Sequence, residues 1–320
     1  MAQTLEINSI FAQDILNGLQ LSPKRLPSKY FYNAEGDRLF QKIMGLDEYY
    51  LTRSELQIIE RRKADILQSF LGKDNSFRLV ELGAGDGTKT RVLLEHFVDA
   101  GADFIYSPID ISENVLHQLS KNVKRSIPEL NIDPIQGEYF QALSELKGHS
   151  GKEVVMFLGS TIGNFGIESG KEFLKELGEN LSQGDLLFIG FDLMKNPRTV
   201  LAAYDDKERV TKAFNFNLLK RINEELGADF DLGRFQHYPT YDPVTGETRS
   251  YLISTEAQSV YIEAIDFRFE LKRWEPIHME VSQKYSMQMI EEFADYSGFT
   301  ISKHFMDESE YFLDSLWQKK

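Results

Sequence analysis

The stretch 77–90 contains the residues with the clearest potential for chemistry in this sequence. A short apolar run ends near Glu81, and Gly83, Gly85 and Gly87 then alternate with other residues. Glycine lets a backbone approach a ligand closely, and the start of a helix leaves N–H groups without partners in the helix. The residues that follow have the apolar spacing of an amphipathic helix. A strand, a glycine turn and a helix in this order predict a nucleotide-binding cradle.

The spacing of the glycines argues against two phosphate-binding motifs. A dinucleotide site needs glycine at the first, third and sixth positions of the turn, and here Thr88 holds the sixth. A P-loop needs glycine directly before its lysine, where Thr88 again precedes Lys89. The pattern Glu81-x-Gly83-x-Gly85-x-Gly87 instead resembles the first motif of Rossmann-like S-adenosylmethionine methyltransferases, whose ligand carries no phosphate.

Charge and cysteine content exclude several partners and chemistries. The formal net charge of −14 opposes binding to a phosphate backbone or an anionic membrane, because both attract clustered Lys and Arg. The absence of cysteine excludes disulfides, thiol nucleophiles and cysteine metal sites. The 6 histidines form no close pair, so we expect no metal.

Composition also sets expectations for location and assembly. No apolar run approaches the length that spans a bilayer, and the first residues lack a basic, apolar leader. We therefore expect a cytoplasmic monomer that acts on a small molecule, without nucleic-acid or membrane partners.

Strands and helices alternate from residue 77 onward, which is typical of a mostly parallel sheet. Asp110 closes the second strand, about 20 residues beyond the glycine turn, where an acid usually holds a ribose diol. The alternative is that Asp110 or Ser112 only caps the next helix. Glu138 and Tyr139 follow the third strand and can hold an adenine between an acid and a ring. The loop at 159–165 follows the fourth strand, at the edge where open α/β sheets bind ligands, so we expect it to face the reactive end of the cofactor.

The alternation stops after the fifth strand, at 185–192. A long helix is predicted at 199–226, followed by a β-rich region at 235–282, a helix at 287–297 and a final strand pair. This insertion of roughly ninety residues is too long for an ordinary loop. We interpret it as a substrate-recognition lobe, joined by N-terminal helices of which the first runs from Asn8.

Six separate motifs, in order along the chain, resemble those of the histidine-specific Nα-methyltransferases of ergothioneine biosynthesis. They are Phe31-Tyr32 with Gly36, Glu48-Tyr49-Tyr50-x-Thr52-Arg53, the turn Glu81–Thr90, Phe157-Leu158-Gly159-x-Thr161-Ile162-Gly163-Asn164, Ala202-Ala203-Tyr204-Asp205-Asp206 and Glu280-Val281-Ser282-x-Lys284. The resemblance extends from about Pro23 nearly to the C-terminus. It implies an α/β fold: a Rossmann-like class I methyltransferase sheet with a large α+β substrate-recognition lobe.

The resemblance also implies a division into domains and a reaction. The catalytic domain, which binds S-adenosylmethionine, is predicted at 62–195 plus 286–320, and the substrate-recognition domain at 8–61 plus 196–285. The family transfers three methyl groups from S-adenosylmethionine to the α-nitrogen of histidine, which gives the betaine hercynine.

Site residues are implied position by position. Gly83 and Lys89 are expected along the cofactor, Asp110 at its ribose, and Glu138 and Tyr139 at its adenine. Tyr32 is expected beside the cofactor and the methyl-transfer path, and Thr161 with Gly159 beside the amine, so that Tyr32 and Thr161 are the candidate catalytic residues. The remaining positions match residues that hold the substrate: its carboxylate by Asn164 and Tyr204, and its imidazole by Tyr49, Glu280 and Ser282.

The residue types suit this chemistry. Asn164 and the Tyr204 hydroxyl are neutral donors for a carboxylate. Glu280 and Ser282 are two apart on an extended segment, so their side chains point the same way and can accept an imidazole N–H. Taken without the resemblance, each of these residues reads as an ordinary strand, helix or turn residue.

One position departs from the family pattern. Methionine often stands two residues before a leucine in the β-rich lobe, over the imidazole, and here Ser250 precedes Tyr251-Leu252. Either the pocket is repacked, for example by Tyr251, or the substrate is another aromatic amino acid such as a tryptophan derivative. Two further alternatives are a cofactor-binding module without activity and a nicotinamide oxidoreductase, which Thr88 disfavours.

Overall fold

The computed structural model describes residues 2–71, 76–85, 87–111, 113–146 and 151–320. Ser112, the alternative helix cap, lies outside these ranges. The α-helices are α1 (Ala2–Leu19), α2 (Ala34–Met44), α3 (Tyr50–Phe70), α4 (Thr88–Asp99), α5 (Glu113–Ser126), α6 (Tyr139–Leu146), α7 (Ile167–Glu179), α8 (Pro197–Tyr204), α9 (Val210–Leu226) and α10 (Met287–Tyr296).

The strands occupy both halves of the chain. They are β1 (Lys24–Arg25), β2 (Ser76–Leu82), β3 (Asp103–Asp110), β4 (Ile135–Gln136), β5 (Lys152–Phe157), β6 (Leu186–Asp192), β7 (Phe235–Tyr241), β8 (Glu247–Ser254), β9 (Gln258–Ile262), β10 (Phe267–Leu271), β11 (Pro276–Gln283), β12 (Phe299–Met306) and β13 (Phe312–Lys319). Short 3-10 turns lie at Ser28–Phe31, Thr161–Phe165, Leu232–Arg234 and Glu263–Ile265.

The chain forms two compact units. Unit 1 comprises Met1–Tyr50 and Lys195–Ser282, and unit 2 comprises Leu51–Met194 and Gln283–Lys320. The chain first passes from unit 1 to unit 2 at the start of α3, whereas the sequence predicts this domain boundary after residue 61. Which unit binds the cofactor and which the substrate stays a prediction.

Unit 2 is built on a sheet of order β12-β13-β6-β5-β2-β3-β4. Neighbours from β4 to β6 pair in parallel, and β13 is antiparallel to both β6 and β12. The chain order reverses between β2 and β5, so the carboxyl ends of these two strands flank the switch point at which open α/β sheets bind ligands. The glycine turn follows β2, and the 3-10 turn Thr161–Phe165 follows β5. The predicted parallel sheet and the final antiparallel pair are confirmed.

The central strands are buried on both faces, which explains their continuous apolar sequence. Every residue of β6 is buried. Helices α7 and α10 contribute Phe173, Leu177 and Phe293 to one core, which also contains Trp317 of β13.

Unit 1 contains a sheet of order β1-β11-β8-β7 and the separate hairpin β9-β10. Alternate residues of β8 are buried, as expected for a strand with one face on a core. Leu252 of β8 and Ile277 of β11 share that core with Phe31 and with Leu218 of α9. The predicted β-rich region is confirmed.

The predicted helix at 199–226 is wrong, because the chain leaves the helical path between α8 and α9. Arg209 adopts a left-handed conformation with φ 60°. The buried carboxylate of Asp206 accepts hydrogen bonds from the backbone N–H groups of Val210 (2.7 Å) and Thr211 (2.8 Å), at the first turn of α9. Helical periodicity continues across the break, which is why the sequence pattern does not reveal it.

Replacing Asp206 with alanine is expected to destabilise unit 1 by about 1–2 kcal/mol, because the first turn of α9 loses both acceptors of its N–H groups. Asp205 provides the matched control, since it is an exposed acid whose carboxylate pairs with the exposed side chain of Arg209. Urea denaturation of both alanine variants measures the difference. A loss for Asp206→Ala no larger than for Asp205→Ala contradicts the capping role.

Another boundary differs from the prediction, since helix α1 begins at Ala2 rather than at Asn8. The third strand, which precedes Glu138 and Tyr139, is short and comprises Ile135–Gln136. Among the described residues, no helix combines the length and apolar character needed to cross a bilayer. Nor, within the same ranges, do three His, Asp or Glu side chains converge as metal ligands.

Candidate active site

The glycine turn of unit 2 depends on conformations that favour glycine. Gly83, Gly85 and Gly87 have φ values of 68°, 54° and 68°, in the left-handed region. A Cβ on Gly83 would lie 2.8 Å from the hydroxyl of Tyr139, and one on Gly87 would lie 2.4 Å from Leu119. By contrast, no atom of the described residues lies within 4 Å of a Cβ at Gly85, so the turn is open there. This is the shape of a cradle that a ligand can enter.

Glu81, the acid before the turn, serves the protein scaffold. Its buried carboxylate accepts hydrogen bonds from the hydroxyls of Thr90 on α4 and Tyr106 on β3, both at 2.5 Å. Burial raises the pKa of Glu81 to about 7, against the opposing effect of these hydrogen bonds and of the Lys89 charge. Glu81 therefore connects β2 to α4 and β3 through these two hydrogen bonds.

Asp110, Glu138 and Tyr139 come together beside the glycine turn. Burial, with the negative charges of Asp110 and Glu138, raises the pKa of the Tyr139 hydroxyl to about 12. Tyr139 begins helix α6. These residues offer carboxylate acceptors and an aromatic ring, and with the open backbone at Gly85 they fit a nucleoside.

Lys89 of α4 forms an ion pair with Glu55 of α3, whose side chain is fully buried. The other carboxylate oxygen of Glu55 accepts a hydrogen bond from the backbone N–H of Gly159 at 2.7 Å. The sequence analysis missed Glu55, because an acid in an amphipathic helix looks like a solvated residue.

The 3-10 turn after β5 is held from several sides within unit 2. Gly159 and Ser160 adopt φ values of 76° and 54°, and the Ser160 hydroxyl accepts a hydrogen bond from the N–H of Asp192 at 2.9 Å. A Cβ on Gly163 would lie 2.9 Å from the backbone oxygen of Gln283, so glycine is needed for this close packing. Asn164, at the end of the motif, is exposed.

Thr161 lies partly buried in this turn, and its hydroxyl donates to the backbone oxygen of Leu158 at 2.9 Å. Because the proton of the hydroxyl is directed there, its lone pairs remain to accept another hydrogen bond. The predicted neighbours Gly159, Thr161 and Asn164 therefore lie on one short, rigid turn.

Lys284 and Asp192 form a second ion pair of unit 2, at 2.9 Å with both side chains fully buried. Asp192 is also the residue whose N–H contacts Ser160. The last residue of the sixth motif thus stabilises the turn after β5.

In unit 1, Tyr32 belongs to a cluster of aromatic rings. Its ring centroid lies 5.6 Å from those of Phe40 and Phe214, edge to face in both cases. Phe40 in turn lies 6.3 Å from Tyr49. These geometries are favourable for aromatic pairs and fix the orientation of each ring.

The hydroxyl of Tyr32 lies within electrostatic range of acidic and hydroxyl groups of unit 1, although the residue is 46% exposed. Partial desolvation raises its pKa above the ordinary value, together with the charges of Glu280 and Asp37 and with Tyr204. Tyr204 ends α8 and is buried, and Ser282 is buried two residues beyond Glu280 on β11. The structure therefore brings together Tyr32, Tyr49, Tyr204 and Glu280, which are far apart in the sequence. We call these four residues, with Ser282, the aromatic–acid cluster.

The first motif, Phe31-Tyr32 with Gly36, requires glycine because the backbones of Phe31 and Gly36 approach closely in unit 1. A Cβ on Gly36 would lie 1.8 Å from the backbone oxygen of Phe31. The side chain of Asn33 caps α2 by accepting from the N–H of Gly36 at 2.8 Å, and Asn217 of α9 donates to the same oxygen at 2.8 Å. These contacts fix the backbone on either side of Tyr32.

The departure at Ser250 is visible in the structure. Ser250 is buried on β8, and its hydroxyl has no hydrogen-bond partner among the described residues. Tyr251 packs edge to face on His278, with ring centroids 5.4 Å apart.

The predicted site residues fall in both units. The cofactor candidates Gly83, Lys89, Asp110, Glu138 and Tyr139 and the turn residues Gly159, Thr161 and Asn164 lie in unit 2, and the aromatic–acid cluster lies in unit 1. Their roles toward ligands stay predictions.

Comparison with solved structures confirms the fold class. The structure of a mitomycin 7-O-methyltransferase superposes with a TM-score of 0.51 at 10% sequence identity, over 99% of this chain and 67% of that one. At this identity the likeness concerns the fold alone.

Curated relatives are similar over most of their length. A histidine N-alpha-methyltransferase of Mycolicibacterium smegmatis is 39% identical over 273 residues, which cover 85% of this chain and 84% of the relative. One of Mycobacterium tuberculosis is 35% identical over 278 residues, covering 87% and 85%. The family described as "Histidine-specific methyltransferase, SAM-dependent" matches residues 11–319. These findings confirm the resemblance, S-adenosylmethionine as the cofactor and the assignment as an enzyme, and the chain belongs to the family of S-adenosylmethionine-dependent, histidine-specific methyltransferases.

Proposed function

We propose that this enzyme transfers three methyl groups to the α-nitrogen of L-histidine and so forms hercynine for ergothioneine biosynthesis. The observation that carries the proposal is the aromatic–acid cluster, in which Glu280 and Tyr204 lie within electrostatic range of Tyr32. An acid beside tyrosines can accept an imidazole N–H, whereas a purely apolar pocket cannot distinguish imidazole from other rings.

The substrate is held at both ends in this proposal. Glu280, Ser282 and Tyr49 hydrogen-bond the imidazole, and Asn164 and Tyr204 donate to the carboxylate. These contacts are polar and directional, so a substrate that lacks one of the groups leaves a buried partner unsatisfied. Family membership supports histidine over the tryptophan alternative.

The glycine turn and its neighbours are proposed to hold the cofactor. Asp110 accepts from the ribose hydroxyls, Glu138 and Tyr139 contact the adenine, and Gly83 and Lys89 lie along the remainder. S-Adenosylmethionine, when bound, supplies a methyl group that is activated by its sulfonium centre. The residues fit this ligand, because the open backbone at Gly85 and the acceptors near Tyr139 suit an uncharged nucleoside.

Methyl acceptance requires a neutral amine, so a proton must leave the substrate. The raised pKa of Tyr32 keeps its hydroxyl protonated at neutral pH, and Tyr32 therefore acts by hydrogen bonding and not as a base. Water is proposed as the proton acceptor. Thr161 orients the amine by accepting an N–H, since its own proton is directed to Leu158.

The aromatic rings stabilise the product as methyl groups accumulate. A trimethylated nitrogen is a permanent cation, and faces of aromatic rings such as Tyr32 attract cations by about 1–2 kcal/mol when water is excluded. Positioning of the two reactants supplies much of the remaining acceleration.

Mass spectrometry of products tests the proposal directly. Incubation with S-adenosylmethionine and a mixture of the common amino acids is expected to give mono-, di- and trimethylated histidine, and no other methylated amino acid in comparable yield. Methylation of tryptophan with histidine untouched contradicts the proposal and supports the alternative. A monomeric, cytoplasmic enzyme without nucleic-acid partners completes the proposal, and light scattering of the purified protein tests the monomer.

A further inference from the structure

The fully buried carboxylate of Glu55 contacts more parts of unit 2 than an ion pair requires. One oxygen accepts from the N–H of Gly159 at 2.7 Å, and the other binds the ammonium of Lys89. Gly190 on β6 leaves room for this carboxylate, since a Cβ there would lie 2.6 Å from it. Glu55 therefore links α3 to α4, to the end of β5 and to β6.

The ammonium of Lys89 also lies beside Gly159. A Cβ on Gly159 would lie 3.4 Å from the ammonium nitrogen of Lys89. A lysine side chain has several freely rotating bonds, and ordering it costs conformational entropy. Because Glu55 holds the ammonium in one place, that ordering is complete before a ligand binds.

The charges around Lys89 make Glu55 its counter-ion. Burial lowers the pKa of Lys89, but the charge and hydrogen bond of Glu55, with smaller contributions from Asp314 and Glu81, raise it above its ordinary value on balance. Asp314 on β13 lies near both Lys89 and Glu55. Burial, together with the charge of Glu55, keeps the pKa of Asp314 well above its usual range.

We infer that Glu55 is a positioning residue of the methyl-donor site, which holds the ammonium of Lys89 and the N–H of Gly159 and acts on the donor through Lys89. The inference rests on the proposed function in one respect, the contact of Lys89 with the cofactor. Its consequence is that the charge of Glu55 sets cofactor affinity although Glu55 is not assigned a contact with the cofactor.

Calorimetric titration with S-adenosylhomocysteine tests this without any methyl transfer. Glu55→Gln keeps the shape and removes the charge, and it is expected to weaken binding about tenfold or more, as for a lost hydrogen bond to a charged group. In a Lys89→Met background the same change is expected to alter affinity by less than about twofold, because the residue through which Glu55 acts is gone. A merely structural role of Glu55 would lower affinity equally in both backgrounds.

Asp314→Asn is the matched control, since it also removes a buried carboxyl group beside Glu55. An amide of the same shape replaces the carboxyl group there while Glu55 and Lys89 stay in place, so affinity is expected to stay within about twofold. If Glu55→Gln does not fold, Glu55→Asp takes its place, because its shorter side chain cannot reach both Lys89 and Gly159 and the same loss is expected.

Three results overturn the inference: unchanged affinity in Glu55→Gln, equal losses with and without Lys89, or an equal loss in Asp314→Asn. Because S-adenosylhomocysteine is titrated in the absence of histidine, these outcomes are independent of whether histidine is the substrate. Conversely, failure to methylate histidine leaves the titrations interpretable.

Discussion

Glu280→Gln is expected to lower kcat/KM for L-histidine about a hundredfold, equivalent to ~3 kcal/mol of transition-state binding. The carboxylate faces Tyr32 within unit 1 and is proposed to accept the imidazole N–H. An amide of the same shape replaces an ionised acceptor by a neutral one and brings its own donors toward the tyrosine hydroxyls. The imidazole is remote from the reacting nitrogen, so the loss is expected mainly in KM.

Steady-state kinetics with histidine as the varied substrate measures this effect. Glu270→Gln is the matched control, because Glu270 is an exposed acid on strand β10 of the same unit. Its kcat/KM is expected to stay within about twofold of that of the unaltered enzyme. A Glu280→Gln enzyme that behaves like this control removes Glu280 from the substrate site.

Lys284→Met is expected to destabilise unit 2 by about 3–5 kcal/mol, because it leaves Asp192 as an uncompensated charge in the interior. Both side chains are fully buried, and the ion pair distance is 2.9 Å. The N–H of Asp192 also contacts Ser160, so the strained turn after β5 is expected to loosen as the pair is broken. The change is among the largest that a single substitution produces.

Urea denaturation of two further variants separates this mechanism from simple loss of packing. In Asp192→Asn/Lys284→Met both charges are gone, and most of the lost stability is expected to return. Lys320→Met removes a partner of the exposed pair with Asp295 and is expected to cost at most about 1 kcal/mol. A double variant as unstable as Lys284→Met contradicts the role of charge.

Features that depend on neighbouring residues were predictable. The apolar runs of β2 and β5 and the glycines at 83, 85 and 87 report local backbone requirements, so the strand, the turn and the helix after it follow from spacing alone. The same holds for the β-rich region, because one-sided burial imposes alternation on β8. The break before α9 was not predictable in this way, since Asp206 acts through hydrogen bonds that apolar periodicity does not record.

The residues of the candidate site also differ in whether the local sequence or only the fold reveals them. Tyr32, Tyr204 and Glu280 were named through resemblance, and their residue types alone favoured ordinary helix and strand positions. Only folding brings them within electrostatic range of one another, because they lie on segments of unit 1 that are distant along the chain. Neither the resemblance nor the residue types identified Glu55, because its role follows from being buried against Lys89 and Gly159.

Spacing, composition and motif order were thus sufficient for the class of fold, the cofactor and the family, since each depends on residues that act locally or recur in a set order. The tertiary structure alone decided where α8 ends, which charges are buried and which acid holds Lys89. The physical reason is that burial and charge pairing depend on the residues packed around a group, and these residues come from remote parts of the chain.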